Sequence, residues 1–273
     1  MNRCGTGLAV GLLLGTLATP RPAAAAAGVR VVPVALFEDP PATLADMVST
    51  ARSRGLRVVA AVDVTRVAAA NGWPASRDHV IYTHPEWLMV PRELALELSR
   101  LDVRSPDYAG RLARWARANA DQATGLYLSP VHTDVAAFVA RAVGRLVQHI
   151  PFDGVQFDTA RYPSGDFDYS RLSLDELRRE IRPGLSTDER RRLDGIETQL
   201  TALVVRARTA VKSVRPDAVV SAVVGSDPLA ALSDSLQDWP TWLDNRFVDA
   251  VSVDAAGGAA VGDRPSPLLP PGR

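Results

Sequence analysis

Residues 152–163 read FDGVQFDTARYP, and the rest of the chain is read outward from them. Val155 and Phe157 alternate into a short β-strand that Asp153-Gly154 opens and Asp158 ends, with Arg161-Tyr162-Pro163 following. Before it, Val135, Phe138, Val139, Ala142, Val143, Leu146 and Val147 fall at helical spacing. Helix, strand, then a carboxylate at the strand's C-terminal end is how a (β/α) barrel presents chemistry at its open mouth. An Asp beside Arg and Tyr suits a cluster that holds a sugar ring. The alternative is a strand-end Asp that only caps the next turn.

The flanking segments continue the alternation. Residues 29–36 form an apolar, β-branched first strand whose Pro33 favours an edge or a bulge. A helix over 41–54 stops at Gly55, and a strand over 56–64 is hydrophobic on both faces. Residues 67–106 are irregular and suit a long loop over the mouth. A helix follows over 108–119, a strand over 125–128, and the helix over 134–150 that leads into FDGVQFD. Residues 164–189 are a polar loop with short helices. Beyond it come a long helix over 193–214, a strand over 218–225, a helix over 228–243 broken at Pro240, and a last strand over 248–253. This order predicts an α/β fold with a parallel sheet and right-handed crossovers. The type is a (β/α)8 TIM barrel, incomplete, since about six strands are recognisable where closure needs eight.

The 273 residues suffice for one such domain, and with 47% hydrophobic and 23% charged residues the composition is that of a globular protein. Zero formal net charge points away from nucleic acid and from anionic membrane surfaces. Residues 1–27 read as an export signal: Arg3, a short apolar run, then small residues suited to cleavage. The expected location is therefore secreted or periplasmic, in a bacterium, with no stable membrane insertion after removal of the signal. The sole cysteine, Cys4, leaves with it, which excludes disulfides and a thiol nucleophile from the mature domain, residues 28–254. Residues 255–273, rich in Gly, Ala and Pro, read as a disordered tail. His79, His84, His132 and His149 are too scattered for a metal cluster, and no P-loop, G-x-S-x-G or G-x-G-x-x-G is present. No cofactor is expected, and nothing signals an oligomeric state.

Five segments carry a resemblance: LADMVSTARSRGLRVVAAVDVTRV (44–67), HPEWLM (84–89), GLYLSPVHTDVAAFV (125–139), FDGVQFDTARYP and QDWPTWLDNRFVDAVSVD (237–254). Together, in this order, they resemble glycosyl hydrolase-like family 10, secreted TIM-barrel proteins thought to act on polysaccharides. The resemblance implies a glycoside hydrolase acting on a cell-envelope or environmental polysaccharide. Where the family continues with a Met-aromatic segment and further βα units, this chain turns to Gly, Ala and Pro after Asp254. A truncated or frameshifted member is one expectation from that departure, and a non-catalytic carbohydrate-binding remnant is the alternative function.

Glycoside hydrolysis needs two carboxyl groups flanking the scissile bond. Asp158 is the first, read as nucleophile or charge stabiliser with Arg161 lowering its pKa. Asp254 and Asp227, each just after a strand, are candidates for the second, and Glu86 could reach inward as an acid. Asp153 reads as a turn device, and Asp166 and Asp168 as solvated loop residues. For sugar binding, Trp87, Tyr162, Tyr127 and Trp239 offer stacking faces, while Arg161, His84 and His132 offer hydrogen bonds. Rim or core packing is the competing role for each aromatic.

Overall fold

Five strands lie parallel in one sheet, in the order β1-β2-β5-β6-β7. They are β1 (Val29–Val34), β2 (Arg57–Val62), β5 (Gly154–Phe157), β6 (Val219–Gly225) and β7 (Ala250–Asp254), with β3 (Arg66–Ala69) and β4 (Gly125–Tyr127) forming a separate ribbon. The structure is a computed structural model and describes residues 28–180 and 189–254. The expected export signal (1–27) and tail (255–273) lie outside the described residues. Each later strand of the sheet joins on the same side, without the reversal of order that marks a doubly wound sheet. The sheet is therefore an α/β arc of barrel type, open at β1 and β7 among the described residues.

The two faces of the arc differ. Val32, Val34, Val58, Ala60, Val62, Val155, Phe157, Val220, Ala222 and Val224 point to one side and are all buried. Helices cover that side. In α1 (Leu44–Ser53), Leu44, Val48 and Ala51 are buried. In α5 (Thr133–His149), Val135, Val139, Val143 and Val147 are buried at helical spacing, each worth about 1.5–3 kcal/mol of apolar burial. The long α7 (Glu189–Val214) packs on α5, and Gly144 brings it close: a Cβ there would meet Ala210 at 3.7 Å. On the other side stand Val31, Pro33, Val59, Ala61, Gln156, Ser221, Val223 and Ser252, a mixture of apolar, small and polar residues that a closed barrel would hold inside. At β1 and β7 this face is half-open or exposed. Pro33 sits on the edge strand, where a missing N–H costs no ladder bond. On the helix side of β7, Val253 is 48% exposed.

Aspartates fasten the lower ends of the strands. Asp153 Oδ2 accepts from the Val58 N–H at 2.8 Å and Oδ1 pairs with Arg52 at 3.2 Å. Asp249 repeats the device one strand pair along, accepting from the Val220 N–H at 2.8 Å while Lys212 (2.8 Å) and Arg208 (3.2 Å) hold its charge. Lys212 also donates to the Ala218 carbonyl at 2.7 Å.

The segment expected as a third barrel strand, residues 125–128, is placed differently. It is extended, but β4 pairs antiparallel with β3 outside the main sheet, and β2 bonds directly to β5. The physical reason is local. The chain leaving β2 runs on as β3, and at Gly125 a Cβ would stand 2.1 Å from the Ala68 carbonyl, so only glycine permits that approach. The ribbon also corrects the reading of 67–106 as wholly irregular. The helical segment 228–243 divides into α8 (Pro228–Ser235) and α9 (Trp239–Asp244), with Leu236 left-handed at φ 56°. Pro240 lies in the first turn of α9, where its missing N–H is harmless. The break falls just before it.

Candidate functional site

Parallel strands put their C-terminal ends on one edge, and two neighbours there are followed by aspartate. Val62 pairs with Phe157, so Asp63 and Asp158 are the next residues up and rise from the same face as Ala61 and Gln156. The Asp158 N–H donates to the Val62 carbonyl at 2.9 Å, which continues the ladder to the carboxylates. Gln156, two residues back on the same face, donates from Nε2 to Asp158 Oδ1 at 2.8 Å.

The two carboxyl groups have different surroundings. Burial pushes Asp158 up from its ordinary value of 3.8 to about 6; the charge of Asp63 adds to the rise, while Gln156, Arg66 and Arg161 oppose it. The expectation that Arg161 would hold Asp158 at low pKa is thus corrected: its pull is real but burial outweighs it. Asp63 is ion-paired, accepting from Arg66 Nε at 2.9 Å and Nη2 at 2.7 Å. Burial alone would lower the pKa of Arg66, but the bonds and charge of Asp63, with Tyr127 and Asp158, raise it. Arg66 Nη1 further donates to Thr124 Oγ1 at 3.2 Å, and Thr124 shares a hydrogen bond with the Tyr127 hydroxyl at 2.9 Å. Behind the pair, the buried Thr65 hydroxyl reaches the carbonyls of Thr159 and Arg161 and ties the two strand-end loops together. A proton-holding carboxyl beside an ion-paired one is an arrangement that can give up and stabilise charge at a single bond.

Asp63 was not among the sequence candidates. It was legible by the rule that found Asp158, since AAVDVTR and VQFDTAR both place Asp at a strand end and Arg three residues on.

The remaining candidates sort by position. Asp227 caps α8, accepting at Oδ1 from the N–H groups of Leu229 (2.9 Å) and Ala230 (3.4 Å). Asp254 ends β7 on the same edge as Asp158, opposite Gly225 of β6. Tyr162 is completely buried, its hydroxyl donating to Asp168 Oδ2 at 3.1 Å, so its ring is no stacking face. The cause is that the chain turns inward after Ala160, and the Tyr162 N–H bonds the Ser235 carbonyl at 3.1 Å. Asp168, expected to be solvated, is equally buried at a left-handed φ of 72°. Its Oδ2 accepts from Ser129 at 2.5 Å, and its Oδ1 has no hydrogen-bond partner. Tyr127 is buried in the Arg66 network and presents no open face either.

His84, Glu86 and Trp87 form their own cluster. His84 lies parallel to Trp87 at 3.9 Å between ring centres, its Nδ1 is 3.1 Å from Glu86 Oε1, and Trp87 leans on Phe138. His132 stands at the start of α5 and Trp239 at the start of α9, both partly buried. His132 Nε2 and Trp239 Nε1 are buried without hydrogen-bond partners. Gln237, not expected to matter, fastens the Asp158 loop: its Nε2 donates to the carbonyls of Ala160 (3.0 Å) and Val223 (3.1 Å), and its Oε1 accepts from Gly225 N–H at 3.3 Å. Among the described residues no group of three His, Cys, Asp or Glu side chains is placed to hold a metal, and no helix is long and apolar enough to cross a membrane.

Among solved structures the chain is similar to the PgaB (BpsB) glycoside hydrolase domain from Bordetella bronchiseptica, at 16% identity and a TM-score of 0.47, covering 76% of this chain and 54% of that one. It is also similar to the GH36 α-galactosidase AgaA from Geobacillus stearothermophilus, at 15% identity and a TM-score of 0.40, covering 71% of this chain and 23% of that one. The chain thus spans about half the length of the first and under a quarter of the second. No curated protein matches. The pattern of Glycosyl hydrolase-like 10 matches residues 35–255, which include both strand-end aspartates, the HPEW segment and Gln237. The chain belongs to the glycosyl hydrolase-like 10 family.

Proposed function

We propose that the chain hydrolyses a glycosidic bond in a cell-envelope or environmental polysaccharide, with Asp158 as the proton donor. The observation that carries this reading is the carboxyl of Asp158 at a strand's C-terminal end with its pKa raised to about 6. A carboxylic acid that keeps its proton to near neutrality is what a glycosidic leaving oxygen requires. The donor role stands in place of the nucleophile or charge-stabilising role expected from Arg161 alone. Asp63, ion-paired to Arg66, is the partner carboxylate that meets developing positive charge on the sugar. Asp227 is engaged at the α8 N-terminus and is left out of the pair.

Neighbouring parallel strands stand about 4.8 Å apart, so carboxyl groups on paired residues fall near the ~5 Å separation of retaining enzymes. Asp254 is two strands from Asp158 and two residues further along, well beyond the ~5 Å of retention, so an Asp158–Asp254 pair would act by inversion. Anomeric configuration of the first product, followed by proton NMR, is therefore decisive. Retention, with Asp158→Asn and Asp63→Asn each lowering kcat by about a thousandfold or more (roughly 4 kcal/mol), supports the pair. Inversion with Asp63→Asn still active overturns it in favour of Asp254.

A binding protein without turnover is the second reading, favoured by the inner face being half-open at β1 and β7. Glycan affinity unaltered by Asp158→Asn, with no product released by the wild type, would select it.

A further inference from the structure

A cavity of about 310 Å³, with neither Asp63 nor Asp158 in its lining, opens between α2 (Val80–Thr83) and the start of α4 (Pro106–Ala118). Its floor is buried and apolar, formed by Ile81, Pro85 and Ala109. On its wall stands Trp73, 43% exposed, the only one of the chain's five tryptophans on the surface. Its ring stacks on Tyr82 at 6.0 Å with 23° between planes, and the Tyr82 hydroxyl donates to the Pro74 carbonyl at 3.0 Å. Tyr82 is thereby held as a fixed backing plate for the indole.

The polar side of the cavity is cationic. Arg77 lies over the Tyr82 ring with its guanidinium carbon 4.9 Å from the centre, and Arg104 lines the opposite part of the sequence that encloses the cavity. Both are exposed, and neither has a carboxylate partner among the described residues. Ser105 and Pro106, the cap and first residue of α4, also line it, so the positive end of a thirteen-residue helix faces the same space. Asp78, Asp102 and Asp107 are sequence neighbours of these groups, but none lines the cavity.

We propose that this cavity is a subsite for an anionic sugar, a hexuronic acid residue within a glycan. A pyranose has one face of C–H groups that stacks on an aromatic ring, and a uronate adds a planar carboxylate that a guanidinium binds in bidentate fashion. The cavity supplies both at once: an exposed, backed indole and two unpaired guanidinium groups. Its volume sits at the small end of ligand pockets, suited to one monosaccharide unit of a longer chain. A fixed link joins it to the carboxylate end of the sheet. Pro85 lines the cavity, the Trp87 carbonyl accepts from Ser129 at 2.8 Å, Leu88 bridges Leu128, and the Leu128 N–H bonds the Thr65 carbonyl at 2.8 Å, two residues past Asp63. The ligand class rests on the carbohydrate reading above; the site itself does not depend on Asp158.

Isothermal titration of the whole chain with tetragalacturonate, cellotetraose and a short polyglutamate tests the proposal. Tetragalacturonate is expected to bind about tenfold or more tightly than either other probe. Trp73→Ala, and Arg77→Gln with Arg104→Gln, should each weaken it about tenfold, while Trp73→Tyr retains most of the affinity and guards against a folding defect in the alanine variant. Equal binding of cellotetraose removes the anionic requirement, and equal binding of polyglutamate makes the site a peptide site; either overturns the proposal. So does uronide binding unchanged by the Trp73 and arginine variants. Asp158→Asn should leave uronide affinity unaltered, so loss of turnover there and loss of binding at Trp73 report on separate claims.

Discussion

Ionising Asp158 is harder in the folded protein than in the unfolded chain, because its carboxyl moves from 3.8 to about 6 on burial beside Asp63. The unfolded state therefore releases its proton first as pH rises. Stability falls across the window from about 4 to 6 and stays lower above it. Removing the charge removes the loss: Asp158→Asn should be more stable than wild type at pH 7, by on the order of 2 kcal/mol, and no more stable at pH 3.5. Urea titrations at the two pH values check it; a variant less stable at pH 7 would mean the carboxylate is held by bonds rather than strained by burial. If Asp158 is the proton donor proposed above, the alkaline limb of activity should fall near pH 6 as it loses its proton. Sequence placed this residue at a strand's C-terminal end but gave the wrong sign for its pKa. Arg161 is visible three positions on, whereas burial is a sum over elements far apart in the chain. Asp168 failed for the same reason. An Asp in a polar Gly-Asp-Phe-Asp run looks solvated until Ser129, thirty-nine residues earlier, is seen to bond it.

At the level of elements, Asp153 and Asp249 each supply a side-chain acceptor to the neighbouring strand's N–H. Truncating either strands a partly buried donor, and Asp153→Ala or Asp249→Ala should cost about 1–3 kcal/mol in thermal or urea unfolding with activity per folded molecule preserved. The effect of Asp249 should also show in acid. Burial opposes ionisation of Asp249, but Lys212, the Val220 N–H and Arg208 outweigh it and depress its pKa. Its contribution is present above the unfolded value of about 3.9 and lost as pH falls through the folded one. The stability gap between Asp249→Ala and wild type should therefore narrow below pH 4. That Asp153 is structural was readable from Asp-Gly opening a strand, although its carboxylate serves the neighbouring strand's Val58 N–H rather than a turn, and most helices and strands were readable from periodicity. The pairing of residues 125–128 was not. Period-two alternation identifies a strand without naming its partner, and β3 is only four residues long.

For the whole molecule, the order of the sheet follows from the alternation of elements, and the count of strands shows that the arc is open at β1 and β7 among the described residues. What no local pattern could give is the inequality of its faces, one fully packed under helices through Val58, Val155 and Phe157, the other mixing Val59 and Val223 with Gln156 and Ser221 and half-open at β1 and β7. That asymmetry depends on which strands sit next to one another. One feature of this architecture makes its opening measurable. Lys212 is the only lysine in 273 residues, and its ammonium group is held by Asp249 and the Ala218 carbonyl where α7 meets the sheet. Apart from the chain's N-terminus, an amine-reactive reagent has this one target. The Lys212 side chain is 24% exposed and its ammonium is ion-paired, so acylation in the folded state is slowed, and it speeds up when α7 opens and exposes core residues Val204, Ala207 and Val211. Mass spectrometry after brief labelling should find Lys212 nearly unmodified in native buffer and fully modified in denaturant, with intermediate labelling rising in Asp249→Ala. The chain thus carries its own single-site tag, and the rise of its labelling rate above the native baseline reports how readily α7 loosens at this end.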